Sequence, residues 1–147
     1  QPLLRGHALV EWSSGKRIYR FDQVIVIANE GSADFETIDD FGNTLLRFGF
    51  ADGKIRLGKL LSLPLSRDEF IAYLLYRVPE RDDRAISVNA DGRVIGVEKK
   101  SKSQNKRYKI SFRDFKKRGN ILYPKTIEMT SRKTSLKITW KNAELNF

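Results

Sequence analysis

The 147-residue sequence predicts a mainly β fold: a strongly curved antiparallel sheet with one amphipathic helix in its concavity. Three observations carry this expectation. Short runs rich in β-branched and aromatic residues recur along the chain, separated by turns bearing Gly, Asn or Asp. A single stretch, residues 63–80, combines helical periodicity with a helix start signal. In the later runs apolar and charged side chains alternate with period two, so that one face of each strand must be buried.

Taken in order, HALVEW and RIYRFDQVIVIA flank Ser13-Ser14-Gly15 and read as a hairpin. SADFETI follows Asn29-Glu30-Gly31, then comes a turn containing Asp39, Asp40, Phe41, Gly42 and Asn43, then TLLRFGF. Asp52-Gly53 turns the chain into KIRL, completing an antiparallel meander. LPLSRDEFIAYLLYRVPE changes the period. Ser66 is the expected N-cap with Glu69 at N3, a capping box, and Leu65 and Phe70 form a hydrophobic staple. Phe70, Leu74 and Val78 recur at four-residue spacing with Ile71 and Leu75 alongside, and Pro79 is the expected stop.

Strands resume with AISVN, an Asp91-Gly92 turn and RVIGVEKK, followed by a polar loop, SKSQN. In RYKISFRDF, Tyr108, Ile110 and Phe112 alternate with Arg107, Lys109, Ser111 and Arg113. ILYPKTIEMTS and SLKITW close the chain, with Leu136, Ile138 and Trp140 opposed to Lys137, Thr139 and Lys141. The total is about nine strands and one helix, with no internal repeat and no linker, so residues 1–147 are expected to form one domain.

Composition narrows the chemistry. Hydrophobic residues make up 40% of the chain, enough for a real core, and cysteine is absent. Disulfides, thiolate metal sites and cysteine nucleophiles are therefore excluded. No run is long and apolar enough to span a membrane. The chain opens QPLLRGHALV without an initiator Met, as a processed or trimmed product would. The net charge of +10 is unevenly placed: residues 1–98 hold 13 basic and 15 acidic side chains, residues 99–147 hold 15 and 3. That asymmetry points to an anionic partner.

Catalysis is not expected. His7 is the only histidine, and the adjacent pairs Asp39-Asp40 and Asp82-Asp83 suit turns better than acid–base chemistry. No phosphate-binding loop, dinucleotide fingerprint or nucleophile elbow is present, and no metal or cofactor is expected. The basic segment KKSKSQNKRYKISFRDFKKR could suggest nucleic acid. Alternation argues against it, because inward aromatics cannot stack on bases.

Several strings, in order, resemble the LolB family of outer-membrane lipoprotein receptors within the LolA/LolB lipoprotein-localisation superfamily. They are LRGHALVEW, DDFGNTLLRF, KLLSLPLSRDEFIAYLLYRVP, and RYKISFRDF with ILYPKTIEMTS and LKITW. The resemblance implies an incomplete antiparallel β-barrel with a helical lid over an apolar cavity for acyl chains. It implies no enzymatic activity and no cofactor. The implied partners are acylated lipoproteins, a LolA-like periplasmic carrier and outer-membrane phospholipid, with no nucleic acid, for a monomer. The implied location is the periplasmic face of the outer membrane, anchored through a lipid-bearing N-terminal Cys absent from this chain.

Expected site residues follow. The turn Asp40, Phe41, Gly42 matches the family's protruding apolar turn, which delivers lipoproteins into the membrane, so Phe41 is the expected membrane-facing tip. The cavity candidates are Val10, Trp12, Phe21, Ile25, Leu46 and Phe48 from the first half. Leu74, Ile110, Phe112, Ile138 and Trp140 complete the set from the second. Arg107, Lys109, Arg113, Lys116, Lys117 and Arg118 are the candidate basic docking surface. A carrier of another lipid or glycolipid on the same fold, and a basic adaptor domain for nucleic acid or an acidic protein, are the competing readings.

Overall fold

A computed structural model describes residues 1–38 and 48–147 of the chain; the Asp40-Phe41-Gly42 turn and Leu46 lie outside the described residues. The architecture is one eight-stranded antiparallel sheet and one three-stranded sheet, with a short helix between them in sequence. The strands are β1 (Leu4–Ser14), β2 (Arg17–Asn29), β3 (Ser32–Ile38), β4 (Phe48–Ala51), β5 (Lys54–Leu57) and β6 (Leu61–Leu63). After α1 (Arg67–Leu74) come β7 (Arg84–Val88), β8 (Val94–Lys99), β9 (Tyr108–Arg118), β10 (Ile121–Ser131) and β11 (Thr134–Leu145).

Spatial order in the large sheet is β3-β2-β1-β11-β10-β9-β8-β7. The end strands β3 and β7 do not pair with each other, so the sheet is not closed. Between leaving β3 at one edge and joining β7 at the other, the chain builds β4–β6 and α1. Both make contact with the large sheet's inner side or with each other, β6 against β10 and β11 and α1 against β5. The mainly β expectation holds, as does the open antiparallel barrel with a helix against it.

Period-two alternation explains which face is inside. Leu4, Ala8, Val10 and Trp12 of β1 are buried, as are Leu136, Ile138 and Trp140 of β11 and Tyr108, Ile110 and Phe112 of β9. Gly6 belongs to the same inward row because nothing larger fits there. A Cβ on it would stand 2.7 Å from the Trp140 ring and from the Asn142 carbonyl oxygen.

The helix starts as the sequence predicts and ends otherwise. Ser66 is extended (φ −69, ψ 168) and its hydroxyl accepts from the Glu69 backbone N–H at 3.3 Å. The Glu69 carboxylate, however, faces Arg84 at 3.8 Å rather than completing the expected reciprocal cap. The last helical residue is Leu74, so Val78 falls outside the helix and Pro79 does not stop it. Termination comes from Tyr76 at φ 58, with its N–H on the Tyr73 carbonyl (3.0 Å) and the Arg77 N–H on the Ala72 carbonyl (2.8 Å). That pair of bonds is a Schellman closure, in which glycine is usual because a side chain is disfavoured at positive φ. Tyr76 holds the position because its ring packs against Phe112 (4.9 Å between centroids) and Phe115 (5.5 Å), and its hydroxyl donates to the Val94 carbonyl at 2.5 Å.

Candidate functional site: two aromatic flanks around the helix

Four α1 residues, Phe70, Ile71, Tyr73 and Leu74, are buried, and they meet two different kinds of aromatic surface. On the β7–β10 flank the rings are tyrosines with engaged hydroxyls. The Tyr73 and Tyr108 hydroxyls hydrogen-bond to each other at 2.7 Å, and Tyr123 donates to the Leu74 carbonyl. Arg84 threads beneath them with its side chain fully buried, 2.5 Å from Asp83 and with its guanidinium 5.5 Å from the Tyr108 ring centroid. Burial pushes the Tyr108 and Tyr123 phenols well above the ordinary tyrosine range, because a phenolate would have to form away from water.

On the β2–β5 flank the rings are phenylalanines. Phe48 sits at the centre, 5.5 Å from Phe35, 5.8 Å from Trp12, 5.9 Å from Phe21 and 6.2 Å from Phe70. Phe50 extends the cluster to Phe70 (5.9 Å) and carries the Arg67 guanidinium 5.2 Å from its centroid. Phe21, Phe35, Phe48 and Phe50 are only half-buried, whereas Phe70 and Trp12 are fully buried. No side-chain hydrogen bond can pin a phenyl ring, so this flank is held by packing alone.

Two buried polar atoms belong to this flank. Gln23 lies in the inward row between Phe21 and Ile25 and donates to the Thr37 hydroxyl at 3.5 Å. Its Oε1, and the Trp12 indole Nε1, find no hydrogen-bond partner among the described residues.

Of the cavity candidates, Val10, Trp12, Ile25, Leu74, Ile110, Phe112, Ile138 and Trp140 are buried and inward. Phe21 and Phe48 are half-buried. The described candidates share one hydrophobic core, within which their aromatic neighbours differ: Trp12, Phe21 and Phe48 join the phenylalanine flank, while Phe112 touches Tyr76, and Trp140 touches Tyr123 at 6.3 Å. Sequence reasoning placed Phe70 on the apolar stripe of the helix but missed Phe35 and Phe50 as members of the half-exposed cluster. The spacing of these two gave no local signal, since the cluster arises where β2, β3, β4 and α1 converge. Arg107, Lys109, Arg113, Lys116 and Lys117 are exposed, but Arg118 is half-buried with a shielded Nε. No helix among the described residues is long and apolar enough to cross a membrane, and no three described His, Cys, Asp or Glu side chains cluster as metal ligands do.

Neither a family model nor a curated protein matches the sequence. Structural comparison does find relatives. A LolA superfamily protein from Nitrosomonas europaea superposes with a TM-score of 0.57 at 9% identity, over 100% of this chain and 87% of that one. The chain has the LolA-superfamily fold. A candidate outer-membrane lipoprotein-sorting protein domain from Vibrio parahaemolyticus is also similar, with a TM-score of 0.49 at 9% identity over 97% and 85% of the two chains. On the LolA-type frame, the phenylalanine flank lies at the β3 edge of the unclosed sheet and the tyrosine flank toward the β7 edge.

Proposed function

We propose that this protein binds the acyl chains of lipoproteins on the concave side of its sheet and helps place those lipoproteins in an outer membrane from the periplasmic side. The reading treats the whole chain as one lipid-binding domain and assigns it no enzymatic step. The observation that carries it is the half-exposed phenylalanine cluster under α1, on a fold shared with a LolA superfamily protein. Phenyl rings that lack directional bonds can exchange ring–ring contacts for ring–acyl contacts with little loss. Trp12 Nε1 supplies a donor to a lipid carbonyl, which removes the cost of a buried N–H without a partner.

Hand-over follows from magnitude. Each buried methylene is worth about 0.8 kcal/mol in a bilayer as in a protein. A site that half-shelters a chain therefore neither traps it nor loses it to water. The outward cations Lys109, Arg113, Lys116 and Lys117 are suited to steering an acidic carrier toward this protein, and Phe41 is the proposed tip that meets the membrane.

The test uses the two tryptophans. In a Trp140→Phe background, a diacylated lipopeptide brominated along its chains should quench Trp12 fluorescence. Brominated phospholipid and free fatty acid should quench it less. Equal quenching by all three would favour a general lipid carrier, and a lipopeptide that binds without quenching Trp12 would remove the phenylalanine flank as the site.

A further inference from the structure

On the outer face of the sheet, β10 and β11 part company. Their pairing runs from Ser131↔Thr134 to Thr126↔Thr139 and goes no further, while β11 continues against β1 to Leu145. Two irregularities flank the parting. The β1–β11 register shifts between His7 and Ala8, so that Ala8 faces Trp140 while His7 faces Asn142. In β9, Asp114 adopts φ 56, a conformation disfavoured for residues with a side chain. The strands splay around a cavity of about 400 Å3.

The walls of that cavity are strongly basic. Arg113 and Lys116 of β9, Lys125 of β10 and Lys137 of β11 all line it, with the hydroxyl-bearing Thr126 and Thr139 at the fork. The single carboxylate in the lining is Asp114, which accepts a hydrogen bond from Thr126 at 3.0 Å. At the rim, Glu128 stands 3.5 Å from the Arg113 guanidinium and pairs across the strands with Lys137, as Glu11 does from β1. Four cations from three strands converging on one recess is not the ordinary arrangement of a solvated sheet face, where long side chains spread into water.

We propose that this fork is a binding site for a phosphate group. Lysine ammoniums act as point-charge partners for phosphate, arginine adds a planar pair of donors, and the Thr139 hydroxyl can donate to a remaining oxygen, the Thr126 hydroxyl being engaged by Asp114. At about 400 Å3 the recess has room for a phosphate with a glycerol or sugar attached, and four cations against one carboxylate suit an anionic phosphate group. It lies on the opposite face of the sheet from the phenylalanine flank, so the proposal does not depend on acyl-chain binding.

The phosphate is either that of a soluble ester or that of a membrane headgroup, and two probes separate these sources. Glycerol 3-phosphate added to the 15N-labelled protein should shift the amides of Lys125, Thr126 and Thr139. Vesicles of phosphatidylglycerol should sediment the protein where phosphatidylcholine vesicles do not. In Lys125→Gln/Lys137→Gln the affinity for glycerol 3-phosphate should fall about tenfold or more, with the melting temperature and the lipopeptide quenching of Trp12 unchanged. Lys102→Gln/Lys106→Gln, which removes two exposed cations elsewhere, should lose almost nothing. Binding of glycerol 3-phosphate without vesicle sedimentation assigns the site to a soluble ester; loss of both in the fork variant assigns it to the headgroup as well. Shifts spread over the whole outer face, equal losses in the two variants, or binding only of an acidic protein would overturn the proposal.

Discussion

The tyrosine and phenylalanine flanks of α1 bury similar rings by different means. Tyr73, Tyr76, Tyr108 and Tyr123 each commit a hydroxyl to a partner, so their rings are fixed in direction as well as in packing. Phe21, Phe35, Phe48 and Phe50 commit nothing and remain half-buried. The difference separates the part of the interior that holds the helix in place from the part that can change what it touches. A hydroxyl bonded in a dry setting is costly to disturb, whereas a phenyl ring passes from one apolar neighbour to another with little penalty.

The largest expected effect tests that division directly. Tyr108→Ala should cost about 3–5 kcal/mol of stability, as large-to-small aromatic changes in a packed core do. Phe48→Ala should cost less than about half of that, because part of its surface is already in water. Chemical denaturation of both variants measures the gap. Equal costs would make the phenylalanine flank ordinary core and end the comparison.

A second expectation concerns pH. The buried Tyr108 and Tyr123 phenols ionise above their unfolded value, so the native state keeps protons that the unfolded state gives up. Their contribution is present in full below about pH 10, the unfolded value, and is lost as pH rises beyond it. Stability should fall there by up to about 1.4 kcal/mol per pH unit for each phenol. Tyr123→Phe should flatten the slope by one phenol's share, while Phe35→Leu should leave it untouched. A stability curve that stays level through this range would mean the tyrosine hydroxyls are not shut away from water.

The smallest stability effect is expected at the proposed membrane tip. Phe41→Glu should stay within about 0.5 kcal/mol of the parent, the range of surface changes. It should still accept acylated client and should release it poorly into liposomes. A drop of several kcal/mol would make Phe41 a packing residue.

Much of this frame was legible in the sequence, for reasons that differ by element. The alternation of Tyr108, Ile110 and Phe112 with cations is a local pattern with one physical meaning, and β9 obeys it as far as Arg113. The Ser66 cap is likewise local. The end of α1 was not legible, because Pro79 is the conspicuous breaker. What stops the helix is Tyr76, whose unfavourable backbone is offset by contacts to Val94, Phe112 and Phe115, all distant in sequence. The β6 strand Leu61–Leu63 is too short to show a period. The phenylalanine cluster and the basic fork share that limitation. Lys125 and Lys137 look like ordinary outward residues until the parting of β10 from β11 brings them to one recess.

The pairing of β1 with β11 carries a consequence for how the molecule is assembled. These neighbouring strands, third and fourth in the order of the large sheet, are separated by nearly the full length of the chain, Leu4 facing Leu145. Hairpins β1–β2, β7–β8 and β9–β10 can form early from neighbouring segments, but the seam that joins the two halves closes only when the last strand is in place. Loop closure over so many residues is slow, and such topologies fold on the slower side of the range for their size. Until then β1 presents an open hydrogen-bonding edge beside a row of apolar side chains. During that interval the chain is most prone to pairing with another copy of itself.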